Sequence, residues 1–175
     1  FGKIVDEAVA KTGAARNVAN PKRGKVAISS FSAGFGAVSK ILANSAYLPW
    51  ITDLVMADSL YCGYVNGKPN PTQLAPYADF AQKAAAGQVT MSLSYSMIVP
   101  GTYASTKETA DYLIGKVAAQ SVAVDLVNAG GMHQTTEAKK GKFTVRGFAG
   151  NTGADHMKHL HNMWELWTLT SLAPK

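Results

Sequence analysis

Residues Val26 to Val38 read VAISSFSAGFGAV, and this stretch decides the architecture. Lys25–Phe31 (KVAISSF) is short, apolar and β-branched at its start, the composition of a buried strand. Helical spacing follows directly, with Val38, Ile41 and Leu42 three and four residues apart. Strand therefore passes into helix through Ser30-Phe31-Ser32-Ala33-Gly34, with no room for a loop. A turn that sharp needs small residues two before and two after its apex, and Ser30 and Gly34 supply them. The turn predicts a Ser32 hydroxyl lifted above the edge of a sheet. It also predicts an Ala33 amide at the new helix's N-terminus, aimed where an oxyanion would develop. The plainer alternative is a strand-to-helix turn whose serines carry no chemistry.

The surrounding pattern alternates in the same way. Residues 1–16 read as a helix with Ile4, Val5, Ala8 and Val9 on one stripe. Asn20-Pro21 and Arg23-Gly24 make the turn into the first strand, and Leu48-Pro49-Trp50 ends the helix after it. Asp53–Asp58 (DLVMAD) is a second buried strand, and 66–71 is polar and turn-rich. Leu74, Tyr77, Phe80, Ala81 and Ala84 mark an amphipathic helix. Gln88–Val99 reads as a third strand, closed by Pro100-Gly101. Ser105 and Glu108 have capping-box spacing ahead of the Ala110, Leu113, Ile114, Val117 stripe. Residues 119–140 carry no clean period, although Gly130-Gly131 marks a turn. Phe143, Val145 and Phe148 suggest a last strand. Residues 156–172 read as a final helix with Leu160, Met163, Trp164 and Trp167 on one face. Such alternation implies an α/β fold, with a mostly parallel sheet between two helical layers in one domain over 1–175.

Two further pieces of chemistry fall at strand ends. In an open α/β sheet, sites form beyond the carboxyl ends of the strands. Asp58 ends the second strand and should share an edge with Ser32, whereas Asp53 starts that strand and should lie at the opposite edge. A carboxylate at position 58 would accept an imidazole N–H and fix the tautomer, unless it merely caps a turn. After the last strand comes Ala154-Asp155-His156-Met157-Lys158-His159, where a histidine would reach back to the serine as general base. His156 sits ahead of the regular helix and is the first choice. His159, a turn further on and facing outward, is the reserve. A metal reading of His156, His159 and His161 is weak, because positions 156 and 161 diverge around a helix. Tyr61, Tyr95, Met97 and Tyr103 follow strand ends, where they would line a pocket or simply pack.

The bulk composition narrows the class. The chain has 175 residues, 47% hydrophobic and 16% charged, which is globular composition. No apolar run reaches the roughly 18 residues of a membrane span. Net charge is +6, but the basic residues are scattered. The mild cluster Lys139, Lys140, Lys142 and Arg146 lacks the interleaved aromatics of a base-stacking groove, which argues against nucleic acid as a partner. Cys62 is the only cysteine, so neither a disulfide nor a cysteine metal cluster is built within the chain.

The stretches VAISSFSAGFGAVSKIL, LVMADSLY and GNTGADHMKHLHNMWELW occur in the order Ser, Asp, His. By element order over roughly residues 1–172, the chain resembles the C-terminal half of an α/β-hydrolase fold protein. The resemblance implies Ser32 as nucleophile, His156 as base and the Ala33 N–H as one oxyanion donor, with no metal or organic cofactor. It implies a small-molecule, lipid or polymer ester as substrate. The family's acid more often follows the next strand, which here ends Ser94-Tyr95-Ser96 without a carboxylate. A minority pattern places it one strand earlier, at Asp58. The family also sets four strands and a second oxyanion donor before the nucleophile strand, where this chain offers one helix. A first residue of Phe1 fits a processed or partial chain. The expectation is that an N-terminal segment, or a second chain, completes the sheet.

Two other readings stay open. Gly34-Phe35-Gly36-Ala37-Val38-Ser39 approximates G-x-G-x-x-G, and Asp58 stands about 20 residues on, as in a dinucleotide-binding fold. The third glycine is missing, and the terminal histidines would have no role. The chain could also be a non-catalytic relative that keeps the hydrolase scaffold.

Overall fold

Apolar side chains on both sides of a strand call for cover on both faces, and Leu54-Val55-Met56-Ala57 is such a run, with no exposed surface at all. In the computed structural model, which describes residues 1–173, this run lies in a six-stranded sheet. The strands are β1 (Val26–Phe31), β2 (Ile51–Ala57), β5 (Thr90–Tyr95), β6 (Gln120–Val127), β7 (His133–Lys140) and β8 (Phe143–Phe148). A two-stranded hairpin, β3 (Tyr64–Val65) and β4 (Lys68–Pro69), lies apart. The order across the sheet is β1-β2-β5-β8-β7-β6. The first four are parallel, and β7 and β6 run antiparallel at the far side.

The helices are α1 (Gly2–Ala15), α2 (Phe35–Leu42), α3 (Pro71–Ala85), α4 (Thr106–Val117), α5 (Gly153–His161) and α6 (Trp164–Trp167). Leu54 and Met56 face the larger core, with Val38 and Leu42 of α2, Leu74, Tyr77 and Phe80 of α3, and Leu113 of α4. Val55 and Ala57 point the other way, against Leu166, Met163 and Trp167. The result is an α/β arrangement with helices on both faces of a mostly parallel sheet. Among the described residues, no helix is long and apolar enough to cross a membrane.

Local chemistry explains several boundaries. Ser105 and Glu108 form the reciprocal capping box that starts α4. Asn66 and Gly67 both have positive φ, as the tight turn between β3 and β4 requires. At Gly147 a Cβ would sit 2.3 Å from the Tyr95 ring and the Thr136 hydroxyl, so only glycine lets these side chains meet across the sheet.

The structure corrects several expectations. The first strand is half-buried, not buried, because β1 is an edge. Within α1, Ile4 is exposed, so the expected stripe is only partly used. The sharp turn at Ser32 forms an elbow between strand and helix; the helix after it stops at Leu42, and Leu48–Trp50 is a separate 3-10 turn. The third strand covers only Thr90–Tyr95. Residues 119–140 are the hairpin β6–β7. The helix expected over 156–172 is two short helices broken at Asn162. Over that stretch the buried side chains are His159, Leu166 and Thr170, whereas Leu160 and Trp164 are exposed.

Candidate functional site

The turn after β1 is as tight as its sequence demands. Ser32 opens a 3-10 turn, Ser32–Gly34, that feeds straight into α2. Its φ is +52°, a left-handed conformation unusual for serine. A Cβ on Gly34 would lie 3.0 Å from the Cβ of Ser30, which explains why both flanking positions are small. Two further hydroxyls brace the turn. Ser59 Oγ donates to the Ser32 carbonyl at 2.8 Å and lies 2.6 Å from Ser30 Oγ. The Ser59 proton is thus committed to Ser32, and Ser30 donates to Ser59.

Asp58 ends β2 at the same rim, also with positive φ (+43°) and with no exposed surface. One carboxylate oxygen accepts from the Ser96 amide at 2.9 Å and from the Thr106 hydroxyl. The other lies 2.7 Å from His156 Nδ1. Burial opposes ionisation of Asp58. The His159 ring nearby and the bonds from Thr106, His156 and Ser96 outweigh it and hold the carboxyl below its ordinary pKa. Burial also pushes the pKa of His159 down to about 4, so that ring is neutral near pH 7 and the hydrogen bonds carry the effect there. Against an ionised Asp58, Nδ1 of His156 must be the donor. The neutral ring then keeps Nε2 free to accept a proton.

His156 is carried by α5. Thr152 and Asp155 cap this helix reciprocally, which places His156 within its first turns rather than ahead of it, a correction to the expected position. Its ring stacks on Phe31 with centroids 4.4 Å apart. The reserve base, His159, does not face outward. It is buried against the sheet, with Nδ1 2.8 Å from Ser94 Oγ and its ring edge-on to Phe148. His156 and His159 thus serve different partners. Among the described residues, no three His, Cys, Asp or Glu side chains gather as metal ligands would.

Ser32, Ala33 and His156 all line one cleft of about 790 Å³. The structure joins Asp58 to His156 by a hydrogen bond. It sets Ser32 in the same cleft, with its hydroxyl unbonded among the described residues. Tyr61 and Tyr103 line the cleft too, while Tyr95 is buried against Thr136 and Met97 is exposed away from it. Asp53 lies at the opposite end of β2, as its position implied. There it accepts from the amide and hydroxyl of Ser171, at 2.6 and 2.7 Å. In the basic cluster, Lys139 and Arg146 both pair with Glu137, and Lys140 donates to the Val117 carbonyl, so the cluster is largely internal.

Sequence reasoning missed Ser59, Ser96 and Thr106. The one available signal was that each lies within two residues of a strand end or helix cap already identified at the same rim. No protein-family model, curated protein or solved structure matches the chain.

Proposed function

We propose that the protein is a serine hydrolase that cleaves carboxylic esters or a related acyl bond. The observation that carries this reading is the hydrogen bond between buried Asp58 and half-buried His156, at the rim of the cleft in which Ser32 stands on a strained turn. Ser32 Oγ attacks the carbonyl carbon while Nε2 of His156 takes its proton. Asp58 holds the ring in the required tautomer and stabilises the imidazolium. The Ala33 N–H, at the start of the turn into α2, donates to the tetrahedral oxyanion. The alcohol leaves with the proton from His156. Water then repeats the sequence on the acyl-serine and frees the acid. The apo hydroxyl need not already bond the base, because such contacts commonly tighten when substrate binds.

The free outer edge of β1 adjoins Ser32 and the Ala33 amide. We propose that a further strand, from this chain or another, adds there and supplies a second oxyanion donor. The dinucleotide reading is less well supported, because both oxygens of Asp58 are already engaged and a ribose diol would have to displace these partners.

A fluorophosphonate probe should label Ser32, as mapped by mass spectrometry, and 4-nitrophenyl acetate should be turned over. Ser32→Ala should abolish both. Folded protein that takes no label and hydrolyses no ester would point instead to a non-catalytic relative.

A further inference from the structure

The cleft runs from the elbow along α2, and its wall has a chemical direction. Near Ser32 the wall is aromatic. Phe35 packs edge-to-face on Tyr61 with centroids 5.6 Å apart, and Tyr61 packs on Tyr103 at 5.5 Å. Burial pushes the Tyr61 hydroxyl well above its ordinary pKa and raises the Cys62 thiol beside it, so this wall stays neutral. Further along, α2 contributes the exposed Lys40 to the lining of the same cleft. Among the described residues, no aspartate or glutamate lines the cleft. Among the described residues lining it, Lys40 is the one cationic side chain apart from His156. The whole chain carries +6, which favours the approach of an anion.

Ser32 to Lys40 is eight residue steps, three through the tight turn and five along α2. At about 2.0 and 1.5 Å per residue this is roughly 13 Å along the backbone. The flexible lysine stem shortens the gap to a medium acyl chain.

We propose that the cleft selects esters whose acyl chain ends in a carboxylate, that is, half-esters of medium-length dicarboxylic acids. This inference rests on the hydrolase reading. The apolar spacer lies on the Phe35–Tyr61–Tyr103 wall, and the free carboxylate meets Lys40. In the reaction the bond from Ser32 Oγ to the acyl carbon forms and the bond to the alcohol oxygen breaks. The alcohol takes the proton held by His156. Water then releases the dicarboxylic acid, so one ester and one water yield one acid and one alcohol.

The test compares 4-nitrophenyl hydrogen suberate with 4-nitrophenyl octanoate, equal in chain length and different in terminal charge. The wild-type ratio of kcat/KM should favour the suberate about fivefold, the upper range for an exposed ion pair, and should shrink in high salt. Lys40→Ala should bring the ratio close to one, and Lys40→Glu should invert it. A wild-type ratio of one or less, or a ratio that neither variant moves, would overturn the proposal. If 4-nitrophenyl acetate is still turned over in that case, the hydrolase reading survives. If the wild type turns over none of the three esters, both fall.

Discussion

A carboxylate without exposed surface is tolerated only where donors surround it, and Asp58 has three. Their effect on the neighbouring ring is directional. Asp58→Asn keeps the shape but turns one acceptor into an NH₂, which drives His156 toward the opposite tautomer. We expect kcat to fall about 10³- to 10⁴-fold with KM little changed, as steady-state kinetics on a 4-nitrophenyl ester would show. A fall of less than tenfold would mean that Asp58 does not orient the base. Single-residue chemistry of this kind was partly legible. Ser32, Asp58 and His156 stand out in the sequence by their places at strand ends, and the structure brings them to one rim. The Ser59 brace was not legible, because a hydroxyl bond across 27 residues leaves no local pattern.

Among the elements, α5 matters most, since it carries His156 and is pinned by the buried His159–Ser94 contact. His159 is neutral when folded, with its pKa pushed down to about 4 from an ordinary 6.5. Between those values the unfolded chain binds a proton that the folded chain does not. Stability is therefore full above pH 6.5 and declines as pH falls to about 4, by on the order of 3 kcal/mol in all. Asp58 acts lower. Its depressed pKa gives stability that is present above 3.8 and lost as pH falls through the folded value. Urea unfolding at pH 7, 5.5 and 4.5 should trace the first slope, and His159→Gln should flatten it. The capping box of α4 was plain in the sequence because it is a local motif. The β6–β7 hairpin was not. β6 reads QSVAVDLV, where Val122, Val124 and Leu126 do alternate, but all its residues except one are exposed, and its partner β7 reads HQTTEAKK, too polar to show a strand pattern of its own. The break at Asn162 leaves no sequence signal for a different reason, since neither glycine nor proline punctuates it.

Across the whole molecule, the candidate site and the anchorage of the C-terminal segment occupy opposite rims of the sheet. The C-terminal segment runs from α6 to the end of β2 remote from the cleft, where Asp53 receives both the amide and the hydroxyl of Ser171. Burial opposes ionisation of Asp53, but the bonds from Thr52, Ser171 and Thr90 prevail and hold its pKa below the ordinary value. Asp53→Ala would strand these donors at a buried site. We expect a loss of about 2–4 kcal/mol in urea unfolding and faster proteolysis of the segment beyond α6. An unchanged cleavage rate would show that the tail is held by other contacts. Element order predicted the parallel part of the sheet and its two covers. The outer position of β1 did not show, because edge and interior parallel strands have similar apolar composition.

The left-handed backbone at Ser32 has one more implication. Glycine adopts that conformation freely, and serine pays a steric penalty of about 1–3 kcal/mol for it. A lineage screened for durability alone would drift toward glycine there. Ser32→Gly would relieve that cost while removing the hydroxyl on which the proposed reaction depends.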